Sequence, residues 1–248
     1  MPSPADDLPH GAPADAGPGS EWAESWWFDF AAGDGALGGF LRLTIRGASG
    51  TSQLVAALVG DGRRYLLVRD DDLRSPSGAT PEVRGEGLWA ALECETPLEH
   101  WTVGLEAFAV ALDDPFTAWG DERGDRVGLG FDLEWETAAS VPDDETGDGF
   151  WVPCVVSGEV LVGAGERLEV EASGWRSRHW GARLEPLPWM AGRLGDRWLG
   201  PSDHEPSVTI GHCHVAPLMD AGTRVLHELC TLTDDAGATG VAWRSTLP

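Results

Sequence analysis

The chain has 248 residues, of which 42% are hydrophobic, so it can bury a core as one large domain or as two smaller ones. Its net charge of -24 excludes binding to a nucleic-acid backbone or to an anionic membrane surface, since both need clustered positive charge. No apolar run approaches the roughly 18 to 20 residues that span a bilayer, and residues 1–20 lack the basic and apolar regions of a secretory signal. We therefore expect a cytoplasmic protein.

Residues 1–20 contain no aromatic side chain and are rich in Pro, Ala, Gly and Asp. Such a segment cannot bury enough apolar surface to offset the entropy lost on ordering it. The sequence therefore predicts a disordered tail before the first strand.

From residue 21 onward, short apolar runs alternate with turn signals. WWFDF, FLRLTIR, QLVAALV and RRYLLVR follow one another with turns rich in Gly, Asp and Ser between them. A series of strands and hairpin turns is typical of an antiparallel barrel or sandwich, and no segment has the period of an amphipathic helix. We predict an all-β fold, with a first barrel over residues 21–138.

A second series of strands follows an acidic, Gly-containing stretch at 137–149 that has the composition of a linker. It includes FWVPCVVSGEVLVG, RLEVEASGWRSRHW and TRVLHELCTLTD. This half offers about six strands, whereas a small closed barrel needs about eight. We predict a second barrel over residues 139–248 that is incomplete or is completed by a partner chain, which would make the protein a homodimer.

The four cysteines, Cys94, Cys154, Cys213 and Cys230, lie far apart and form no Cys-x-x-Cys pair. This pattern indicates neither a zinc ribbon nor a disulfide-rich scaffold. We predict four free thiols that pack as small hydrophobic side chains.

Three stretches of the sequence resemble a known superfamily. They are ESWWFDFAAGDGALGGFLRLTIR (24–46), LWAALECETPLEHWTVGLEAFAVALDDP (88–115) and SGEVLVGAGERLEVEASGWRSRHWG (157–181). They are similar to the tandem lipocalin-like (calycin) superfamily of carotenoid 1,2-hydratases, or hydroxyneurosporene synthases, and Diels–Alderase-type cyclases, in particular to its uncharacterised actinobacterial members. The resemblance covers most of residues 21–185 and implies two tandem lipocalin-like antiparallel β-barrels.

The superfamily usually carries an Arg-Asp-His-Ser-Trp-Gly type motif where the chain enters the second barrel. Arg176, Trp180 and Gly181 match it, whereas Ser177 stands in place of the acid and His179 in place of the serine. A mechanism that uses this acid as the proton donor is therefore not implied for this chain.

The 13 Trp and 7 Phe residues suit a cavity for one apolar ligand, inside a barrel or between the two. An aromatic wall stabilises a carbocation, and a desolvated carboxylic acid beside it can protonate an alkene. The candidate catalytic acids are Asp29 and Glu106.

Each of these acids has a structural alternative. Asp29 alternates with two phenylalanines, so it points away from them and either lines a pocket or pairs with Arg42 on the next strand. Glu106 shares a strand face with His100, a candidate ligand-binding residue, and that face is either a barrel interior or the solvated outside.

The segment GWRSRHWG also admits two interpretations. Arg176 and Trp180 could close the base of a barrel, as Arg and Trp do in single-domain lipocalins. Alternatively, Arg176, Arg178 and Trp180 bind the ligand together with Trp27 of the first strand. In that case His179 acts as a base, because neighbouring guanidinium groups hold its imidazole neutral.

His212 and His214 lie two residues apart, and His227 could approach from the neighbouring strand. Three imidazoles on adjacent strands can hold zinc or iron, but no carboxylate accompanies them at a diagnostic spacing. We predict ordinary, partly buried histidines, no metal and no cofactor.

These observations leave functions from different classes open. The favoured one is an enzyme of the hydratase or cyclase kind that acts on a hydrophobic, isoprenoid or polyketide-like small molecule. The alternative is a non-catalytic carrier of a hydrophobic metabolite, and a third is a pocket that has degenerated into a structural core. The replacement at Ser177 favours the second and third of these.

Overall fold

The computed structural model describes residues 2–11, 22–47, 49–78, 80–140, 148–181, 188–201, 208–220 and 222–248. Within these ranges the regular structure is all strand apart from one short 3-10 helix, Pro115–Trp119, as the all-β prediction requires. No helix there is long and apolar enough to cross a membrane. The strands are β1 (Ala23–Ala31), β2 (Leu37–Arg46), β3 (Thr51–Gly60), β4 (Tyr65–Arg74), β5 (Glu82–Gly85), β6 (Leu88–Thr96), β7 (His100–Leu112), β8 (Asp125–Thr137), β9 (Gly149–Val162), β10 (Glu166–Gly181), β11 (Trp189–Leu194), β12 (Arg197–Leu199), β13 (Val208–Asp220), β14 (Thr223–Asp234) and β15 (Thr239–Thr246).

Eight of these strands close into an antiparallel barrel. Neighbours run in the order β4, β3, β2, β1, β10, β9, β8, β7, and residues 65–67 of β4 pair with residues 110–112 of β7 to complete the ring. The β5–β6 hairpin continues the sheet beyond β7. The lipocalin-like barrel implied by the resemblance is therefore present, with the usual number of strands.

The barrel takes in two strands from the second half of the sequence. The predicted domain boundary at 138–139 falls between β8 and β9, which are hydrogen-bonded neighbours, and β10 then pairs with β1. The second sheet contains the five described strands β12, β11, β15, β14 and β13 in that order. This sheet has fewer strands than a closed barrel because β9 and β10 complete the first barrel. A division into two folding units at 138–139 stays a prediction.

The interior of the barrel is filled by side chains. Strand β1 contributes Trp26, Phe28 and Phe30, and they pack with Trp101 of β7 and Trp135 of β8 in one continuous apolar core. An eight-stranded barrel is just wide enough to be filled in this way, and protein cores are close-packed. Of the two ligand positions that the sequence left open, the space between the barrel and the second sheet is therefore the one to consider.

The outer face of β1 to β4 packs against the second sheet. Trp27, Phe40 and Tyr65 of the barrel lie in one apolar cluster with Leu229 and Trp243 of the second sheet. The Tyr65 hydroxyl donates a hydrogen bond to the carbonyl of Pro217 (3.0 Å). The period-two alternation of β1 thus places its even-numbered residues inside the barrel and its odd-numbered residues between the sheets.

The N-terminal segment is ordered where the structure describes it, so the prediction of a disordered tail is wrong for residues 2–11. The Asp7 side chain is completely buried against the barrel. Composition alone misses this contact, because one carboxylate with several buried donors can hold a segment that has little apolar surface. Residues 1 and 12–20 lie outside the described residues.

The prediction of four free thiols is also wrong. Cys213 and Cys230 face each other in the register of β13 and β14, with Cα atoms 4.2 Å apart, and form a disulfide. Cys94 and Cys154 are free. The sequence separation of 17 between Cys213 and Cys230 gives no sign of this register. Disulfides persist mainly in oxidising compartments, and the cytoplasmic location stays a prediction.

Candidate functional site

Strand β10 carries the segment GWRSRHWG and pairs with β1, and alternate residues of this segment face opposite sides of the barrel wall. In their register Trp27 lies opposite Ser177 and Phe28 lies opposite Arg176. Arg176 and Arg178 point to the base of the barrel, whereas His179 contacts Trp151 outside it. The sequence-based hypothesis that these three residues line one cavity is therefore corrected, because alternate residues of a strand face opposite sides.

At the barrel base, Arg176 forms a bidentate ion pair with Asp7. Its Nη1 donates to Oδ1 (2.6 Å) and its Nη2 to Oδ2 (3.1 Å). Oδ2 also accepts from the backbone N–H of Leu98 (2.6 Å) and from the indole of Trp101 (2.9 Å). Arg176 is 2% exposed and Asp7 0%, so a buried positive charge is matched by a buried negative one.

Arg178 repeats the arrangement with a carboxylate from β1. It pairs with Glu24, and its guanidinium carbon lies 3.9 Å from the ring centroid of Trp26 and 5.4 Å from that of Trp180. The Glu24 carboxylate also accepts from the backbone N–H groups of His10 (3.0 Å) and Gly11 (2.6 Å). Burial lowers the pKa of Arg178 to about 10, and Glu24 opposes that shift.

These contacts favour the structural interpretation for Arg176, Arg178 and Trp180. They hold the N-terminal segment across the base of the barrel. None of the contacts described for these three side chains reaches the second sheet.

Asp29 occupies the opposite face, between the sheets. Its Oδ2 accepts a hydrogen bond from the indole of Trp27 (2.7 Å) and its Oδ1 from the backbone N–H of Trp175 (2.9 Å). Burial raises the pKa of Asp29 to about 7, against the effect of these two hydrogen bonds. Gly174 permits this arrangement, because a Cβ there would collide with the backbone oxygen of Asp29.

The predicted alternative partner of Asp29 is engaged elsewhere. Arg42 donates to Asp220 (2.6 Å) and to Gln53 (3.2 Å). Asp29 is therefore a fully buried carboxyl group with hydrogen-bond donors but no ion pair among the described residues.

His227 lies beside Trp27 in a cluster of aromatic rings. Its ring centroid is 5.0 Å from Trp27, 5.1 Å from Phe40 and 5.9 Å from Trp189. Burial, together with the nearby charge of Arg42, lowers its pKa to about 3, so the imidazole is neutral. Neither ring nitrogen has a hydrogen-bond partner in the described part of the chain.

Two half-buried tryptophans and a histidine form the accessible edge of this cluster. Trp151 lies 5.0 Å from Trp189 and 5.8 Å from His179, measured between ring centroids, and Trp189 contacts Trp27 at 5.4 Å. We use the name inter-sheet site for the group Trp27, Asp29, Phe40, Trp151, His179, Trp189 and His227. It combines an apolar wall, one buried acid and one neutral imidazole.

Glu106 and His100 lie away from this site. Glu106 is exposed on the outer face of β7, and His100 Nε2 is 3.4 Å from Glu134 Oε2 on the neighbouring strand. Of the two alternatives for this face, the structure selects the outside, so Glu106 does not line an interior cavity. The inward positions of β7 are the odd-numbered ones.

Two open clefts also lie between the barrel and the second sheet. The first, of about 440 Å³, is lined by residues that include Arg69, Trp119 and Glu122, and the second, of about 200 Å³, by residues that include Tyr65 and His214. Asp29 lines neither. The three histidines that the sequence suggested could meet are not together: His212 and His214 lie near each other on β13, whereas His227 belongs to the inter-sheet site.

Sequence reasoning missed Asp7 as a member of the ion pairs at the barrel base, and it missed Trp189 and His227 as members of the inter-sheet site. Asp7 and Arg176 are 169 residues apart, and Trp189 and His227 reach Trp27 only through the packing of the second sheet. The available signal was the parity of positions along β10, which separates Arg176 and Arg178 from His179.

Solved structures with similar folds cover almost the whole chain. An AttH-type protein of Nitrosomonas europaea has a TM-score of 0.55 and 13% identity over 96% of this chain and 97% of that chain. CghA, solved with Sch210972, has a TM-score of 0.51 and 9% identity over 91% of this chain and 88% of that chain. Kievitone hydratase of Nectria haematococca has a TM-score of 0.43 and 12% identity over 96% of this chain and 68% of that chain. The first two show a shared fold, and the third is too distant to carry an argument.

No curated protein matches the chain. A family model described as "Domain of unknown function (DUF7064)" matches residues 3–198. This range contains Asp7, all ten strands of the first sheet and Trp189 of the inter-sheet site. Because the match covers well over half of the sequence, the chain belongs to the DUF7064 family.

Proposed function

We propose that the protein binds a hydrophobic small molecule, isoprenoid or polyketide-like, at the inter-sheet site and catalyses its hydration or cyclisation. The observation that carries this proposal is Asp29, a carboxyl group buried among indole rings with a pKa raised to about 7. Such a group is protonated in a substantial fraction of molecules near neutral pH and can act as a general acid.

The chemistry of hydration follows from the groups present. The Asp29 carboxyl would give its proton to one carbon of an alkene, which leaves a cation on the other carbon. The faces of Trp27 and Trp189 would stabilise that cation. A water molecule then adds to the cation and loses a proton to the Asp29 carboxylate, so the acid is regenerated. In a cyclisation, a second double bond of the substrate attacks the cation and closes a ring, and the new cation then loses a proton to the Asp29 carboxylate, which regenerates the acid.

Access to Asp29 requires movement of aromatic side chains. Trp27 donates to the carboxyl group and is 6% exposed, and Trp189 and Trp151 lie next along the chain of ring contacts. A ligand that enters past His179 would have to displace these rings. Indole rings that close again behind the ligand would then separate the reacting centre, with its one reacting water, from bulk solvent.

The relatives support a ligand site in this fold. CghA was solved with Sch210972, and the sequence resembles hydratases and cyclases of the calycin superfamily. Function does not follow from fold alone, so the proposal rests on Asp29 and its surroundings.

A carrier without catalytic activity is the second candidate, and two observations favour it. Both Asp29 oxygens already accept hydrogen bonds from the protein, and Ser177 stands where the hydratase motif has an acid. In this case the aromatic cluster holds the ligand and Asp29 only fixes Trp27 and β10.

The test uses geranylgeraniol as an isoprenoid alkene probe. Binding is followed by the quenching of tryptophan fluorescence, and hydration by mass spectrometry in water labelled with heavy oxygen. We expect labelled product with the wild-type protein, and we expect Asp29→Asn to reduce the rate at least about 100-fold. Glu106→Gln, a carboxyl-to-amide change on the outer face, is the matched control and should leave the rate unchanged.

The outcomes separate the two candidates. Binding without product, in the wild-type protein and in Asp29→Asn alike, would support the carrier and overturn the enzyme. Absence of binding to geranylgeraniol and to a panel of polyketide-like polyenes would overturn both.

A further inference from the structure

The turn between β3 and β4 meets the start of β13 in a cluster of three ligand-type side chains. Asp61 lies in this turn, and His212 and His214 lie on β13. The two imidazole centroids are 4.6 Å apart, and His214 Nε2 is 3.3 Å from Asp61 Oδ1. One ligand atom from each residue can be chosen so that all three lie within 4.8 Å of one another.

These separations suit a single metal ion. Zn²⁺ binds imidazole nitrogen and carboxylate oxygen at about 2.0 to 2.2 Å in tetrahedral geometry, which sets neighbouring ligand atoms about 3.4 Å apart. The distance between His214 and Asp61 is already close to this value. The register shift of β13 between Ile210 and Cys213 accompanies the close approach of the two rings.

The environment of His214 is that of a metal ligand. The backbone of Gly35 lies close to the His214 ring, and a backbone carbonyl is a common partner for the second nitrogen of a ligating histidine. Its Nε2 is shielded from solvent and makes no well-aligned hydrogen bond within the described ranges, although Asp61 is close.

Space and charge are also compatible with a cation. The open cleft of about 200 Å³ reaches His214 and Gly60 and offers room for a water molecule as a fourth ligand. Arg63 lines the same cleft, but its charge is paired with Glu166 at 3.0 Å. The net charge of -24 favours the approach of cations.

We propose that Asp61, His212 and His214 form a binding site for a divalent transition-metal ion of the Zn²⁺ type. The bound ion would join the β3–β4 hairpin of the barrel to β13 of the second sheet. This site is separate from the inter-sheet site, and it does not depend on the function proposed there.

The test is a titration of the full chain after dialysis against EDTA, with Zn²⁺ by calorimetry and with Co²⁺ by visible absorption. Reductant is omitted, so that Cys213 and Cys230 stay in their disulfide and do not offer thiolates. We expect one equivalent of Zn²⁺ to bind, and affinity to fall at least about tenfold in Asp61→Asn, His212→Ala and His214→Ala. Co²⁺ should give the absorption of a site with nitrogen and oxygen ligands.

The control is His100→Ala, which removes the histidine from another exposed cluster, with Glu134 and Glu136 on β8. This variant should bind Zn²⁺ like the wild-type protein. A second measurement guards against misfolded variants: Zn²⁺ should raise the Tm of the wild-type protein and of His100→Ala but not that of Asp61→Asn. Absence of Zn²⁺ binding, or equal affinity in all four variants, would overturn the proposal.

Discussion

Strands β1 and β10 carry buried ionisable groups on both faces, and the two faces treat these groups differently. Inside, Arg176 and Arg178 are each matched by a carboxylate, Asp7 and Glu24. Between the sheets, Asp29 has hydrogen bonds but no opposite charge, and its pKa moves to about 7. Matched charges hold the barrel together, whereas an unmatched acid becomes able to exchange a proton at neutral pH. The same pair of strands thus carries a structural closure on one face and a candidate reactive group on the other.

The largest expected effect comes from breaking the inner face. Asp7→Ala leaves the Arg176 guanidinium buried without its partner, and removal of one member of a buried pair costs about 3 to 5 kcal/mol in the free energy of unfolding. Urea denaturation followed by tryptophan fluorescence measures this loss. The matched control is Asp6→Ala, because Asp6 accepts hydrogen bonds only from Ser3 among the described residues and is more exposed; it should cost less than about 1 kcal/mol. Equal effects of the two changes would show that the N-terminal segment does not close the barrel.

The outer face can be tested by the pH dependence of stability. The pKa of Asp29 is raised from 3.8 to about 7 in the folded protein, so the folded state holds a proton that the unfolded state releases between these values. Asp29 therefore contributes stability at low pH that is lost as pH rises through 7. Relative to Asp29→Asn, the wild-type protein should lose about 1.4 kcal/mol per pH unit between pH 4.5 and 6.5. Urea denaturation at each pH gives the difference, and a difference that does not change with pH would contradict the assigned environment.

His227 should give the opposite slope. Its pKa is lowered from 6.5 to about 3, so between these values the unfolded state binds a proton and the folded state does not. Its contribution is present above pH 6.5 and is lost as pH falls towards 3. Relative to His227→Phe, the wild-type protein should gain up to about 1.4 kcal/mol per unit as pH rises from 4 to 6. A slope of the same sign as that of Asp29 would mean that His227 is protonated in the folded state.

The strand pattern predicted much of this arrangement. Alternation along β1 correctly placed Asp29 away from Phe28 and Phe30, and the aromatic density of ESWWFDF marked a buried strand. Pairings over long sequence distances were beyond it, because a contact such as that between Asp7 and Arg176 depends on how the barrel closes. For the same reason the strand pattern could not show that β9 and β10 belong to the first barrel, where they pair with β8 and β1.

The accessible edge of the inter-sheet site should affect ligand binding more than folding. Trp189→Ala removes a ring that contacts Trp27, Trp151 and His227, yet Trp189 is only half buried. We expect the Kd for geranylgeraniol to rise about tenfold, which corresponds to about 1.4 kcal/mol. Titration of the fluorescence of the remaining tryptophans measures it. Trp198→Ala is the control, because Trp198 contacts Trp175 and Arg193 away from the site. An equal loss of affinity in both variants would place the ligand elsewhere.

The smallest effect is expected at Glu106, and it sharpens the contrast with Asp29. Glu106 was the second acid that the sequence offered, but it is exposed on the outer face of β7, where water solvates the carboxylate. Glu106→Gln should change the free energy of unfolding by less than about 0.5 kcal/mol, as surface substitutions usually do. Denaturation at pH 7 and the rate of geranylgeraniol hydration are both measured on this variant. If the rate fell while Asp29→Asn retained full activity, the proton would have to come from the outer surface. Burial among indole rings would then not be the source of acidity in this fold.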